Sequence, residues 1–401
     1  MTIKKLKNLA DKNEVRVDDH QGHSMSPPHY YILQEAFSYY FKTFITKNAS
    51  YEFYVSATST DKRKALTILE HQFLDIENTV FCLVAFQRFF ELFIKDFLRQ
   101  THAHLIHEVD KVAYDKANRK APQKTHQIIQ EIRSKKFLAK KDDRKRYLTI
   151  PFSEAIKRFY ALLTYSKLQI FQSDFYVLKF LQIVKPFAFI HHNEIKATFE
   201  FINWYRNRIL HSGNRLPRMR FLDFIIIHRV IPLTNQIIQS DSRVPQEWKF
   251  FTETDSGFKI LEEMKGIRFD LRNSKSIIKI NETFTSLLYL GHLKELGRAA
   301  LNMNHNMKSN RATHEYNYHD SKGRGKRFAE IEHKEFPNTT KIMKCSCCSV
   351  ESLVRYTYEF NSSQRKETVQ EAKCYTCDYH LRSNVLDLHY FNNKFEKIFD
   401  Y

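Results

Sequence analysis

From Thr79 the chain runs Thr-Val-Phe-Cys-Leu-Val-Ala-Phe-Gln-Arg-Phe-Phe-Glu-Leu-Phe-Ile-Lys-Asp-Phe-Leu-Arg, with Arg88, Glu91, Lys95 and Arg99 at steps of three, four and four. That spacing draws one solvated stripe along an otherwise buried helix. Glu91 and Lys95 form an i,i+4 pair of favourable orientation, and Cys82, inside the run, is a core residue. Similar periodicity predicts helices at 29–47, 61–77, 153–165, 174–184, 193–211, 220–239 and 284–303. Ser153 is the expected N-cap of the third and Asp174 that of the fourth. Gly213 and Pro217 stop the helix ending at 211, where terminating residues belong.

Four segments follow from the pattern. Residues 1–76 combine a loose leader, to about 28, with two helices. Residues 77–240 form a helical bundle. Residues 241–335 are a mixed connecting region, with a strand pair at 266–282 and a polar linker at 304–327. Residues 336–401 alternate apolar and polar positions in Leu-Val-Arg-Tyr-Thr-Tyr-Glu-Phe and Val-Leu-Asp-Leu-His-Tyr-Phe, which predicts short strands. No fixed-period repeat is present. The expected fold class is mainly α, a helical bundle with additional helices and a small C-terminal β unit.

Composition narrows the function. Only 8 of 401 residues are Gly, no G-x-x-x-x-G-K-[ST] occurs, and Gly323 with Gly325 lacks a third glycine and a preceding strand, so nucleotide-loop enzymes are not expected. The 64 Lys and Arg exceed the 45 Asp and Glu by 19, a field suited to polyanions. Residues 111–146 alone hold 13 Lys and Arg against 4 Asp and Glu. Such a run serves either as a solvated face or as a phosphate-contacting patch. Without an apolar leader or a long uninterrupted apolar stretch, a cytoplasmic location and no membrane partner are expected.

Five of the six cysteines fall between 345 and 377, in a pattern of metal ligation rather than a disulfide framework. Cys345-x2-Cys348 and Cys374-x2-Cys377, separated by 25 residues, can bring four thiolates to one tetrahedral Zn2+. Cys347 leaves the first knuckle with three thiols for two places, and the spacing favours Cys345. A closed four-thiolate site has no open position for a substrate, so the zinc is expected to be structural. Knuckles flanked by strands resemble a zinc ribbon, a module used for nucleic-acid or protein contact.

The second constellation is Phe-Ile-Asn-Trp-Tyr-Arg206-Asn207-Arg208-Ile-Leu-His211-Ser-Gly, at the end of a helix. Ile195, Phe199, Ile202 and Ile209 form an apolar stripe, and Arg206 falls in line with it. A guanidinium there needs a partner or a cleft. Pairing with a carboxylate, with His211 as a favourable cation at the helix C-terminus, is one solution. Catalysis is the other.

Arg206-Asn207-x3-His211 resembles the R-x4-6-H signature of the HEPN superfamily of ribonucleases, whose arginine is typically followed by Asn, Asp or His. Other pairs of that spacing occur, Arg99 with His104 and Arg298 with His305 among them, but none of those arginines is so followed. The resemblance covers about residues 78–240. It implies an all-α bundle that cleaves RNA without a catalytic metal at a homodimer cleft, in toxin or anti-phage settings, leaving 2',3'-cyclic phosphate and 5'-hydroxyl ends. Arg206, Asn207 and His211 would be catalytic. Arg208, Arg133, Lys135, Lys136, Lys140, Lys141, Arg144, Lys145 and Arg146 are the candidate RNA contacts. A non-catalytic nucleic-acid-binding protein with an inactive bundle is the alternative.

On a regular helix at about 100° per residue, Arg206 and His211 stand about 140° apart. Either the helix ends near Leu210 and His211 swings back, or a two-fold axis brings two motifs together across one cleft.

Overall fold

A computed structural model describes residues 28–44, 75–109, 125–135, 137, 139–141, 147–166, 173–212, 216–244, 253–254, 257–267, 286–287, 289–301, 311–362 and 365–382. The protein is mainly helical: α1 (Pro28–Phe41), α2 (Ile76–Thr101), α3 (Thr125–Arg133), α4 (Phe152–Tyr165), α5 (Phe175–Val184), α6 (Asn193–Ser212), α7 (Met219–Ser240), α8 (Ile260–Lys265), α9 (289–301) and α10 (Arg311–Glu335). A four-stranded antiparallel sheet follows, in the order β1 (Thr340–Met343), β2 (Leu353–Ser362), β3 (Arg365–Cys374), β4 (His380–Arg382).

The long phenylalanine-rich helix α2 is the hub. Asp75 caps it by accepting the Asn78 N–H at 2.9 Å, and Arg99 complements its C-terminal dipole. Its phenylalanines reach three neighbouring helices: Phe86 to Phe37 of α1 (5.2 Å between ring centroids), Phe90 to Phe199 of α6 (5.1 Å), Phe97 to Phe159 of α4 (5.7 Å). Each fully buried Phe contributes on the order of 1.5–3 kcal/mol. The stripe expected to face water holds at its ends, with Arg88 and Arg99 exposed, while Glu91 and Lys95 between them are partly buried and paired at 2.6 Å. Cys82 is fully buried.

Three helices are tied together by charge. Arg243, just after α7, donates to Asp96 of α2 at 2.6 Å and to Asp241 at 2.7 Å, and Tyr30 of α1 donates to Asp241 at 2.7 Å. Burial works to raise both carboxyls, but the hydrogen bonds and charge of Arg243, together with bonds from Arg99 to Asp96 and from Tyr30 to Asp241, hold them below the usual range. Arg243→Ala would leave both buried carboxylates short of a partner. The expected cost is about 3 kcal/mol, at the low end for orphaned buried charges because Arg243 is itself 38% exposed. A lowered urea midpoint at unchanged slope would register it. Because the folded-state values are depressed, the contribution is present at neutral pH and is lost as pH falls through them. The difference between wild type and Arg243→Ala should therefore close in strong acid.

A second pair lies deeper: Lys294 of α9 and Asp223 of α7 meet at 2.6 Å with side chains 1% and 0% exposed, and Lys294 also donates to Thr43. Helix α7 is long and apolar enough by composition to cross a bilayer, yet it carries this buried aspartate inside the bundle. Its turn at Ile226–Val230 is π-helical, just ahead of Pro232, which supplies no N–H to the ladder.

Several boundaries differ from the sequence expectation. Pro151, not Ser153, is the N-cap of α4, and its carbonyl accepts the Glu154 and Ala155 N–H groups at 3.0 Å. Much of the stretch expected to be a linker at 304–327 belongs to α10, with Gly323 and Gly325 inside it. A Cβ on Gly325 would fall 2.1 Å from Thr376 Oγ1, so the missing side chain is what lets α10 lie against the second cysteine knuckle. Gly297 plays the same part where α9 crosses Phe41. Strand β3, half of it charged, escapes an apolar-alternation test. The rest of the expected leader and of the helix at 61–77, most of the strand pair at 266–282 and the strand at 385–391 lie outside the described residues.

Candidate functional site

Helix α6 enters the bundle through Phe199, Ile202 and Ile209, all buried. Arg206 is in line with them and half-buried. Its Nε is buried and has no hydrogen-bond partner, and its Nη1 donates to Asn207 Oδ1 at 2.9 Å. No carboxylate among the described residues pairs with it. The guanidinium is thus rooted in the core, turned toward solvent at Asn207, and still short of an anion. Asn207 and His211 are i,i+4 neighbours on the outer arc of α6, His211 is exposed, and no side-chain hydrogen bond occupies it among the described residues. Helical geometry continues through Ser212, so α6 does not end near Leu210 to let His211 fold back. Together the three side chains offer a permanent cation, an amide and an imidazole, a set able to bind a phosphate and move protons beside it.

One residue overlooked in the motif, Trp204, lies on that same arc, beside the expected RNA contact Arg208. Trp204 is 50% exposed, with the Arg208 guanidinium 5.2 Å from its ring centroid. Steps of four and three from Trp204 to Arg208 to His211 carry the signal, but Phe201 and Tyr205 beside them blur which face is buried.

The basic candidates are divided. Arg133 pairs with Asp174 at 2.9 Å, the carboxylate that also caps α5. Lys140 approaches Glu108 at 3.7 Å, and Lys141 lies over the Tyr147 ring at 4.9 Å. Lys135 is exposed at the end of α3 with a left-handed backbone. Lys136, Arg144, Lys145 and Arg146 lie outside the described residues.

The four expected metal ligands do converge. Cys345, Cys348, Cys374 and Cys377 are buried, with sulfurs within 4.8 Å of one another. Cys345 and Cys377 stand 3.7 Å apart, Cys348 and Cys374 3.6 Å. Tetrahedral Zn–S bonds of about 2.3 Å put sulfurs about 3.8 Å apart, so the donor set fits. As thiols they conflict: hydrogen bonding to Cys348 and Cys374 pushes Cys345 up, while bonds from Cys345 and its neighbours pull Cys374 down. A dication would satisfy all four as thiolates. Cys347 is buried but outside the cluster, and its N–H donates to Cys345 Sγ at 3.4 Å, which assigns the first knuckle to Cys345 and Cys348.

The knuckles are built alike. Cys345 N–H donates to Val350 O at 2.9 Å, and Cys374 N–H to Tyr379 O at 2.7 Å, five residues on in each case. Ser349 and Asp378, each just after the second cysteine, take left-handed backbone at φ 57° and 60°, the conformation that turns the chain back around the sulfurs.

Comparison with family models, with curated proteins and with solved structures finds no match for this chain.

Proposed function

We propose that the protein is an endoribonuclease of the HEPN kind, cutting RNA at the Arg206–Asn207–His211 end of α6 in a homodimer, with the ribbon's zinc structural. The observation that carries this is Arg206: a guanidinium rooted in an apolar stripe, with a buried Nε lacking a partner and, among the described residues, no carboxylate opposite. An arginine kept only for structure would spend those donors on the protein. A phosphate fits it bidentately.

The chemistry follows from the groups. The RNA 2'-oxygen attacks phosphorus as a base removes its proton, the bond to the 5'-oxygen breaks, and an acid protonates the leaving oxygen. His211 serves as base or acid, Arg206 balances the charge of the phosphorane, and Asn207, which accepts from Arg206, orients His211 or the phosphate. Products are 2',3'-cyclic phosphate and 5'-hydroxyl ends. Zinc held by Cys345, Cys348, Cys374 and Cys377 would fold the ribbon and take no part in the cut. A toxin or phage-defence setting and a cytoplasmic location extend the same reading by family resemblance.

Incubation of the purified protein with total RNA in EDTA tests it. Fragments with 5'-hydroxyl ends are expected, mapped by sequencing. Bound but intact RNA would favour the non-catalytic alternative.

A further inference from the structure

Trp204 is the largest exposed apolar ring on α6, and it is not loose. Phe201 and Tyr205 stack almost parallel at 5.5 Å, Trp204 leans on both at 5.9 and 5.6 Å, and Phe221 of α7 closes the group at 6.0 and 6.1 Å. Half of the indole nevertheless faces water. A ring held rigid but left open is suited to contact something planar.

Its companions fit such a ligand. Trp204, Arg208 and His211 fall within about 60° on the helix, with Asn207 about 40° to the other side of His211. The face therefore carries an indole, a guanidinium 5.2 Å over that indole, an amide and an imidazole. Aromatic rings and arginine planes are what unpaired RNA bases stack upon. Residues 204–211 of α6 hold no acid to repel a phosphate chain, and the next one back along this face, Glu200, lies 3.8 Å from Lys196.

We propose that Trp204 and Arg208 form a base-stacking subsite for single-stranded RNA, adjoining the phosphate site at Arg206 and His211. The proposal rests on the ribonuclease reading of that site. Seven residues of helix separate Trp204 from His211 by about 10.5 Å, which spans about three stacked nucleotides at ~3.4 Å each. The stacked base lies about three nucleotides from the cut, and a duplex, whose bases are already stacked, gains nothing there.

The full-length His211→Ala protein, in which cleavage is expected to be roughly 10^2- to 10^4-fold slower, allows binding to be measured with little cutting. A fluorescently labelled 12-nucleotide single-stranded RNA and its duplex are titrated against that protein and against His211→Ala carrying Trp204→Ala or Trp204→Phe. Loss of the indole is expected to weaken single-strand binding about 5- to 150-fold, to spare the duplex, and to be largely rescued by Phe. Sedimentation of the same proteins should be unchanged. Equal single-strand affinity without Trp204 would overturn the subsite, as would loss of the dimer, which would assign the ring to a second copy of this chain. Cleavage by wild type is read separately. If wild type binds single strands through Trp204 but does not cut, the ribonuclease reading falls and the stacking subsite stands.

Discussion

Arg206→Ala and His211→Ala are each expected to lower RNA cleavage by a factor on the order of 10^2 to 10^4 while leaving the fold intact. His211 is exposed and Arg206 only half-buried, so neither change opens a large void. His104→Ala is the control: its ring stacks on Phe137 at 5.2 Å, away from the α6 motif in sequence, and cleavage should not change. Assembly enters because α6 stays helical through Ser212. Arg206 reaches Asn207 but stands about 140° from His211 around the axis, so one chain offers the phosphate its cation and its imidazole from different sides. Two copies facing across a two-fold axis would each complete the other. Specific activity should then fall on dilution below the dimer dissociation constant, and heterodimers of wild type with His211→Ala should be impaired. Full activity in well-folded His211→Ala, or in a monomer, would sink the composite site.

What could be read beforehand depended on whether a signal was local. The solvated stripe on α2, the Asp174 cap and the CxxC spacing are local, and the structure realises each, the stripe at its ends. The α6 motif is local too, and its arginine is indeed in line with Phe199 and Ile202. What the chain could not disclose was that Arg206 finds no carboxylate among the described residues, since that depends on what α2, α4 and α7 bring near. Helix α10 was hidden for a different reason. Among its described side chains the buried positions are Gly325 and Ala329, small residues that allow close approach to the ribbon, so no apolar period announces it. Trp204 was visible as a residue but not as a surface, because an aromatic cluster on a helix looks the same buried or exposed.

The ribbon is built into the bundle, and this shapes the second large effect. The core that holds Phe86 and Phe90 also takes in Cys345, Cys348, Cys374, Cys377 and Tyr379. Arg298 of α9 bonds Glu295 and reaches the Asp378 carboxylate at 3.4 Å, and Glu295 accepts the His380 N–H at 2.9 Å. Gly325 seats α10 on Thr376 between the second pair of cysteines. Cys374→Ser or Cys348→Ser is expected to remove the bound zinc, about one per wild-type chain by elemental analysis, and with it binding free energy that small zinc modules convert into folding at about 10–16 kcal/mol. In an isolated ribbon the damage would stop at the sheet. Here the loss of the knuckles frees Tyr379, unties Arg298 and strips α10 of its seat, so hydrogen exchange should quicken in α9 and α10 as well as in β2 and β3. Helices α2, α4 and α6 pack without the sheet and should keep their protection. The α6 site then survives, and brief EDTA treatment of folded protein should leave cleavage running. Freshly purified protein without zinc would contradict the metal assignment, and normal exchange in α9 after Cys374→Ser would show that the ribbon folds apart from the bundle.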